Sequence, residues 1–267
     1  IMAQQVFDIP LSCKKLYGEV TTPYEIIDNL LDFLPQDAYA AGHRWLDMGA
    51  GHGYFAERAI ERLGPSRAED VHLSEINPER VAHLKSRYLP ENVHAGDFLV
   101  HTNTYDVIIG NPPYVVCGSK KVPTQAGVTK RDDGLTSWTL FVRKALSLLH
   151  EGGYLAIVVP CLWMRRDKAK IHELVAEHQL MAVKCYDASE ANRLFRGKAQ
   201  TPVSAMVIRK CPPSDVTRVY CHMEERYVIY PFLNDEVLPV SCPSLVALFK
   251  GLIDTYGGIR VSKTNMP

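Results

Sequence analysis

The chain has 267 residues, 46% of them hydrophobic and 22% charged, and its 30 basic residues balance 30 acidic ones. This composition is typical of a globular protein with a sizeable core, and it excludes disordered, collagen-like and coiled-coil chains. A net charge of +0 gives no overall attraction to nucleic acid. Any site for a polyanion must therefore come from local clusters of basic residues.

Neither a membrane span nor a metal site is predicted. The longest apolar run, from Tyr154 to Met164, is about half of the ~20 residues that a transmembrane helix needs. The N-terminus lacks the basic and apolar stretches of a signal peptide, so we expect a cytoplasmic protein. The seven cysteines are scattered without a Cys-x-x-Cys pair, which favours reduced packing residues.

Helix and strand patterns alternate along most of the chain, as in a parallel sheet covered by helices. Helices are predicted over 23–34 and 54–63, from about 78, over 135–149, and in a segment that ends near 178. Strands are predicted at 44–48, 71–75, near 93, and at 105–109, 154–159, 181–186 and 203–208. We expect a functional or mobile loop at 115–134 and an irregular loop at 187–202. Beyond Arg209 the periodicity is lost.

A glycine-rich turn over 49–53 separates the first predicted strand from the next helix. Glycines let a ligand approach the backbone, and the helix N-terminus offers free N–H groups, so a nucleotide-like ligand is the natural occupant. Tyr54 stands where the dinucleotide fingerprint has its third glycine, which disfavours pyrophosphate binding. The turn alone leaves a purely structural role equally open.

Three acidic residues end three successive predicted strands: Asp47, Glu75 and Asp97. A carboxylate in the position of Glu75 can accept hydrogen bonds from both hydroxyls of a ribose. Asp97 can accept from an exocyclic amine, and Phe98 can cover an adenine ring. Each acid alone is more often a solvated residue at a strand end, but together the three predict a pocket for an adenosyl group.

The most specific motif is Asn-Pro-Pro-Tyr at 111–114, directly after the fourth predicted strand. Two prolines forbid further ladder pairing and fix the backbone. The side-chain oxygen of Asn111 and the carbonyl oxygen of Pro112 then form adjacent acceptors beside the aromatic ring of Tyr114. This arrangement suits a planar amine with two N–H groups, and the alternative is a turn stiffened by proline.

These motifs resemble those of class I S-adenosylmethionine-dependent amino-methyltransferases, and their order resembles the gamma group of DNA adenine-N6 methyltransferases, the Taq-type enzymes. The segment 18–23 is similar to the N-terminal cofactor segment of that group. The segment 194–198, followed by 203–208, resembles the one whose aromatic ring stacks on the extruded target base, and Phe195 is the matching position. The resemblance covers roughly 17–210.

The resemblance implies a Rossmann-like α/β fold with a seven-stranded, mostly parallel sheet flanked by helices. It implies a catalytic domain over 1–210, a short extension over 211–267, and S-adenosyl-L-methionine as the cofactor. The residues that it places in the cofactor pocket are Thr22, Asp47, Gly49, Ala50, Glu75, Ile76, Asp97, Phe98, Pro113 and Phe141. For Phe141, a buried core position at helical spacing is an equal alternative.

The implied reaction is methylation of the N6 amine of a flipped adenine in DNA. Asn111 and Pro112 would accept the two N–H groups, and Tyr114 and Phe195 would hold the base. Short basic groups near this edge would contact phosphates. They are Lys120, Lys121, Lys130, Arg131, Arg165, Arg166, Arg193, Arg196 and Lys198. Ordinary solvated surface is the alternative for any one pair.

Other readings remain open at this stage. The same tetrapeptide occurs in RNA adenine methyltransferases and in methyltransferases of a protein glutamine amide, whose nitrogen has a similarly delocalised lone pair. A silent cofactor-binding subunit of a larger complex is a further alternative. Gamma enzymes continue into a large target-recognition domain, whereas only 210–267 follow here. We therefore expect sequence specificity to come from further sequence or from a second subunit.

Overall fold

The computed structural model describes residues 20–114, 136–199, 201–230, 232 and 243–257. The predicted loop at 115–134 lies outside the described residues, with its basic residues Lys120, Lys121, Lys130 and Arg131. Most of the N-terminal segment 18–23 is described, from Val20 onward.

Besides short 3₁₀ turns, the described residues form seven α-helices and nine strands. In chain order these are α1 (Tyr24–Phe33), β1 (Trp45–Met48), α2 (Tyr54–Leu63), β2 (Val71–Glu75), α3 (Pro78–Arg87), β3 (Val93–Ala95), β4 (Tyr105–Gly110), α4 (Ser137–Leu148), β5 (Leu149–Pro160), α5 (Ile171–Ala176), β6 (Gln179–Tyr186), α6 (Ala188–Leu194), β7 (Val203–Arg209), β8 (Thr217–Cys221), β9 (Arg226–Tyr230) and α7 (Pro243–Tyr256). None of these described helices combines the length and apolarity needed to cross a bilayer.

The strands form one sheet in the order β3-β2-β1-β4-β5-β7-β6-β8-β9. The first five strands of this order, β3, β2, β1, β4 and β5, are parallel to one another. β7 runs antiparallel to both β5 and β6. The predicted α/β fold with a mostly parallel sheet flanked by helices is therefore confirmed. Its seven predicted strands are present, and β8 and β9 extend the sheet beyond them.

Helices cover both faces of the sheet, so the strands are buried on both sides. Along β4, Val107 and Ile109 pack into a core shared with α1, α2 and α3. Between them, Ile108 packs into a second core with α4 and α5. Because side chains alternate along a strand, a continuous apolar run such as that of β4 serves two cores.

Two expectations from the sequence are corrected. The expected irregular loop at 187–202 contains α6, whose first turn is capped by the Asp187 carboxylate accepting from the backbone N–H of Glu190. Beyond Arg209 the chain regains regular structure, since β8 pairs parallel with β6, and β9 pairs with β8. The division of the chain at residue 210 stays a prediction, with β8 and β9 lying in the same sheet as β1 to β7.

Candidate active site

The carboxyl ends of the central strands meet at one edge of the sheet. Met48, at the end of β1, pairs with Ser74 on one side and with Gly110 on the other. The glycine turn, Glu75 and the tetrapeptide at 111–114 follow directly from these strand ends. The topology therefore brings together the motifs that the sequence placed on separate strands.

The glycine turn depends on backbone conformations that favour glycine. Gly49, Gly51 and Gly53 have φ angles of 66°, 56° and 83°. At Gly53 a Cβ atom would also lie 2.7 Å from the ring of Tyr88, whose hydroxyl donates a hydrogen bond to the Gly53 carbonyl at 2.7 Å. The backbone N–H of Ala50 donates to the Ser74 carbonyl, which fixes the turn to β2. The result is a rigid turn immediately before α2.

Asp47 is fully buried at the end of β1. Its Oδ2 accepts a hydrogen bond of 3.0 Å from the backbone N–H of Ala56, in the first turn of α2. Burial raises the pKa of this carboxyl to about 8, and the nearby Glu75 charge adds to the rise. Its Oδ1 is also buried and has no hydrogen-bond partner among the described residues. One oxygen thus caps a helix, and the other is a buried polar atom that the described residues do not use.

Glu75 lies at the predicted edge, but its carboxylate is turned toward the protein backbone. Oε1 accepts from the backbone N–H groups of Ile76 and Asn77, at 2.8 and 2.7 Å, and Oε2 accepts from that of Gly51 at 2.7 Å. The carboxylate therefore ties the glycine turn to the end of β2. A ribose hydroxyl would have to share these oxygens with the backbone.

The residues predicted to surround an adenine ring lie on the neighbouring strand end and on α4. The Asp97 side chain is exposed and accepts from the backbone N–H of Leu99 at 2.9 Å. The rings of Phe98 and Phe141 are stacked, with centroids 5.0 Å apart, and both are buried. Ile76, by contrast, is 50% exposed. The structure thus brings Phe141 into contact with Phe98. Both alternatives for Phe141, a wall of the cofactor pocket and a core position, agree with this contact.

Asn111 is held in a defined orientation after β4. The preceding residue must be glycine, because a Cβ at Gly110 would lie 2.6 Å from the Met48 carbonyl oxygen. The Asn111 Nδ2 donates a hydrogen bond of 3.0 Å to Thr22 Oγ1. Its Oδ1 is buried and has no partner within the described part of the chain. Leaving a buried acceptor without a donor costs about 1–3 kcal/mol of stability. Such unsatisfied groups are typical of ligand-binding sites.

Two aromatic residues were predicted to hold the target base. The Tyr114 ring packs against both cores, and its hydroxyl is buried without a partner among the residues described. Burial raises the pKa of Tyr114 far above its usual range. Phe195, just after α6, is only 4% exposed and belongs to a core. Its ring is therefore covered in this structure, and its stacking role stays a prediction.

The described basic residues of the prediction lie mainly on the surface. The surface residues Arg165, Arg166, Arg193 and Arg196 are exposed, and Lys198 is half-buried.

Nowhere in the described ranges do three or more His, Cys, Asp or Glu side chains form a group that could hold a metal ion.

A family model described as the Eco57I restriction-modification methylase matches residues 54–192, slightly more than half of the chain. The matched region begins with α2, directly after the glycine turn, and runs through the tetrapeptide at 111–114 into α6. The chain belongs to the Eco57I restriction-modification methylase family. Together with the confirmed fold, membership of this family identifies S-adenosylmethionine as the cofactor.

The chain is similar to one curated protein over a short region and to solved structures over most of its length. The Type II methyltransferase M.TthHB8I of Thermus thermophilus is 36% identical over 86 residues, which cover 27% of this chain and 20% of the relative. A protein of Listeria monocytogenes described as a class I S-adenosylmethionine-dependent methyltransferase has a TM-score of 0.54 at 18% identity, covering 94% of this chain and 74% of that one. The DrdV–DNA complex gives a TM-score of 0.59 at 17% identity, with 78% and 28% covered. The chain thus spans about a fifth of the curated relative.

Three contacts at the site were not predicted from the sequence. They are the Tyr88 hydroxyl on Gly53, the Glu75 carboxylate on Gly51 and the Thr22 hydroxyl on Asn111. Thr22 and Asn111 are 89 residues apart, and no sequence spacing signals such a pair. For Asn77, which caps α3 by accepting from the Glu79 backbone, the signal was present as Asn followed by Pro78.

Proposed function

We propose that this chain transfers a methyl group from S-adenosylmethionine to the exocyclic N6 amine of an adenine in DNA, as a gamma-group (Taq-type) member of its family. The observation that carries the proposal is the orphaned Oδ1 of Asn111, at the start of the Asn-Pro-Pro-Tyr motif and at the carboxyl end of β4. A second acceptor, the carbonyl of Pro112, is adjacent in the chain. The pair matches the two N–H groups of an amine.

The strand ends also fit the cofactor. Asp47 Oδ1 is a buried polar atom without a partner among the described side chains and backbone groups, and a polar group of the cofactor would satisfy it. The left-handed glycines remove side chains from the turn at 49–53, so that a ligand can reach its backbone. We place Glu75 at the ribose and the exposed Ile76 at the adenine ring. The remaining proposed pocket residues are Gly49, Ala50, Asp97, Phe98, Pro113 and Phe141.

The chemistry assigned to Asn111 and Pro112 follows from the weak nucleophilicity of the amine. Its lone pair is delocalised into the ring and must become localised on nitrogen before it can attack. Two acceptors, each taking one N–H, favour the pyramidal amine and direct its lone pair away from the ring. Bound S-adenosylmethionine would supply an electrophilic methyl group on a sulfonium. As the N–C bond forms, the S–C bond would break with its electron pair left on sulfur, so that S-adenosylhomocysteine would leave, and the methylated nitrogen would release one proton to water. A strong base is not needed.

The proposed substrate is DNA. An adenine in duplex DNA must leave the base stack to reach these buried acceptors. Tyr114 and Phe195 are assigned to the flipped base, where stacking on an aromatic ring contributes about 1–3 kcal/mol. The exposed arginines Arg165, Arg193 and Arg196 are assigned to phosphates. The similarity of the chain to a Type II methyltransferase and to the protein of the DrdV–DNA complex supports this substrate.

The experiment is transfer of a tritium-labelled methyl group to duplex DNA, to RNA and to protein in parallel, followed by mapping of methylated adenines in the DNA. We expect label in DNA adenine. Asn111→Ala should retain its affinity for the cofactor in calorimetry but lose transfer by a factor of about 100 or more, since removing one positioned transition-state acceptor typically costs 2.7–4 kcal/mol.

Label found mainly in RNA or in a glutamine side chain would replace the DNA substrate while keeping the roles of Asn111 and Pro112. Cofactor binding without transfer to any of the three would indicate a silent subunit. An Asn111→Ala variant with more than about a tenth of the parent's turnover would refute the role assigned to Asn111.

A further inference from the structure

The amide of Asn111 has two chemically different ends, and only one of them suits the proposed reaction. The oxygen accepts hydrogen bonds, as a target amine requires, whereas the NH₂ group would meet that amine donor to donor. A free asparagine side chain can rotate to present either end. The reaction therefore needs a group that holds the amide with its oxygen toward the substrate.

Thr22 occupies the position of such a group. Its Oγ1 accepts the hydrogen bond from Asn111 Nδ2 at 3.0 Å, and the side chain of Thr22 is itself buried. With Nδ2 engaged there, Oδ1 is the end left without a partner in the described residues. Thr22 is fixed in turn by its place directly before Pro23 and α1, whose residues Ile26 and Ile27 are fully buried.

We propose that Thr22 is a positioning residue for catalysis, which orients the Asn111 amide toward the methyl-accepting amine. This inference rests on the proposed function, and it changes the role of Thr22 from cofactor binding to substrate activation. The segment before α1 is joined to the motif after β4 by this contact. A loss of the Thr22 hydroxyl should therefore slow the methyl transfer step while cofactor binding persists.

The test replaces Thr22 by valine, which keeps the shape of the side chain and removes the acceptor. We expect Thr22→Val to lower kcat on DNA about tenfold, with the affinity for S-adenosylmethionine within about twofold of the parent's. Thr22→Ser keeps the hydroxyl and should restore most of kcat. In the Asn111→Ala background, Thr22→Val should cause no further loss, because the group that it orients is gone.

A purely structural role would change stability and not this pattern. Thr21→Val is the matched control for unfolding temperature, since the neighbouring Thr21 hydroxyl is buried without a hydrogen-bond partner among the described residues. A Thr22→Val variant that keeps the parent's kcat, or that loses cofactor affinity in proportion to its rate, would overturn the inference. So would an equal loss from Thr22→Val in the parent and Asn111→Ala backgrounds.

A second readout does not depend on activity. In ¹⁵N NMR spectra, the side-chain amide signals of Asn111, assigned by their absence in Asn111→Ala, should shift in Thr22→Val and return in Thr22→Ser. If the parent chain methylates none of the tested substrates, the proposed function fails, and unshifted Asn111 signals in Thr22→Val would separately overturn the contact itself.

Discussion

At the scale of single residues, the site is built from polar groups that the fold uses only in part. Asp47 caps α2 with one carboxylate oxygen, Asn111 is engaged at its amide nitrogen, and the other oxygen of each side chain has no partner within the described part of the chain. Glu75 differs, because backbone N–H groups already bind both of its oxygens. Buried polar atoms that lack a partner lower stability, and they are typical of functional sites.

The buried carboxyl of Asp47 predicts a pH dependence of stability. Its folded pKa of about 8 lies above its ordinary value of 3.8, so the folded protein retains a proton that the unfolded chain loses. The contribution of Asp47 to the free energy of unfolding should therefore fall as pH rises from about 4 to about 8, by up to about 1.4 kcal/mol per pH unit.

Asp47→Asn should remove this decline, because asparagine can still accept from the Ala56 backbone and carries no titratable group. Urea unfolding of the parent and the variant at several values between pH 5 and pH 8 measures the difference. We expect the variant to be the more stable protein at pH 8 without cofactor. If both proteins lose stability with the same slope, Asp47 is not the group that titrates.

At the scale of elements, the periodicity of apolar residues and the residues that end helices and strands predicted most of the fold. The bounds of α2 and β2 agree with the predictions, because Gly53, Gly64 and the strand-ending Glu75 mark their limits. Short elements were missed. α6 has seven residues, and its signal was the Asp187 cap. β8 was missed because it has only five residues, too few for the alternation of buried Thr217 and Val219 with partly exposed Arg218 to be recognised.

The site was predictable only to the level of strand ends. Parallel strands place their carboxyl ends at one edge, so the neighbourhood of Asp47, Glu75 and Asn111 followed from the order of the elements. Which way each side chain turns depends on three-dimensional contacts. The hydrogen bonds between the Glu75 carboxylate and Gly51 and between the Asn111 amide and Thr22 are such contacts, and the sequence did not predict them.

The end of α6 provides a prediction that separates packing from base stacking at Phe195. Phe195→Leu keeps an apolar side chain in the core and removes the aromatic face. Because similar apolar volumes are well tolerated, we expect the free energy of unfolding to change by less than about 1.5 kcal/mol. The kcat/KM for DNA should fall about tenfold or more, since one stacking contact is lost.

Phe195→Ala is the companion variant, and it should lose stability as well, by about 3–5 kcal/mol for a truncated core ring. Chemical denaturation and steady-state transfer on the same preparations give both quantities. A Phe195→Leu enzyme with normal kcat/KM would assign Phe195 to the core alone and refute its contact with the base.

At the scale of the whole molecule, the described structure beyond β7 is small. It comprises β8, β9 and α7, and β8 and β9 continue the catalytic sheet. Reading a DNA sequence requires side chains that reach base edges in a groove, in addition to phosphate contacts. We therefore propose that a further domain or a second subunit supplies target recognition.

This proposal predicts that the chain alone methylates DNA with weak sequence selectivity. The exposed arginines, among them Arg165, Arg166, Arg193 and Arg196, should still bind phosphates, so affinity should fall steeply between 50 and 200 mM salt. The measurement is methylation of mixed-sequence duplex DNA by the chain alone, mapped at single-base resolution. Asn111→Ala, which should bind the same DNA with the same salt dependence, is the control for background label. One sharply defined motif, methylated efficiently without a partner, would show that residues within 1–267 already read the sequence, and the proposal of a separate recognition module would then be wrong.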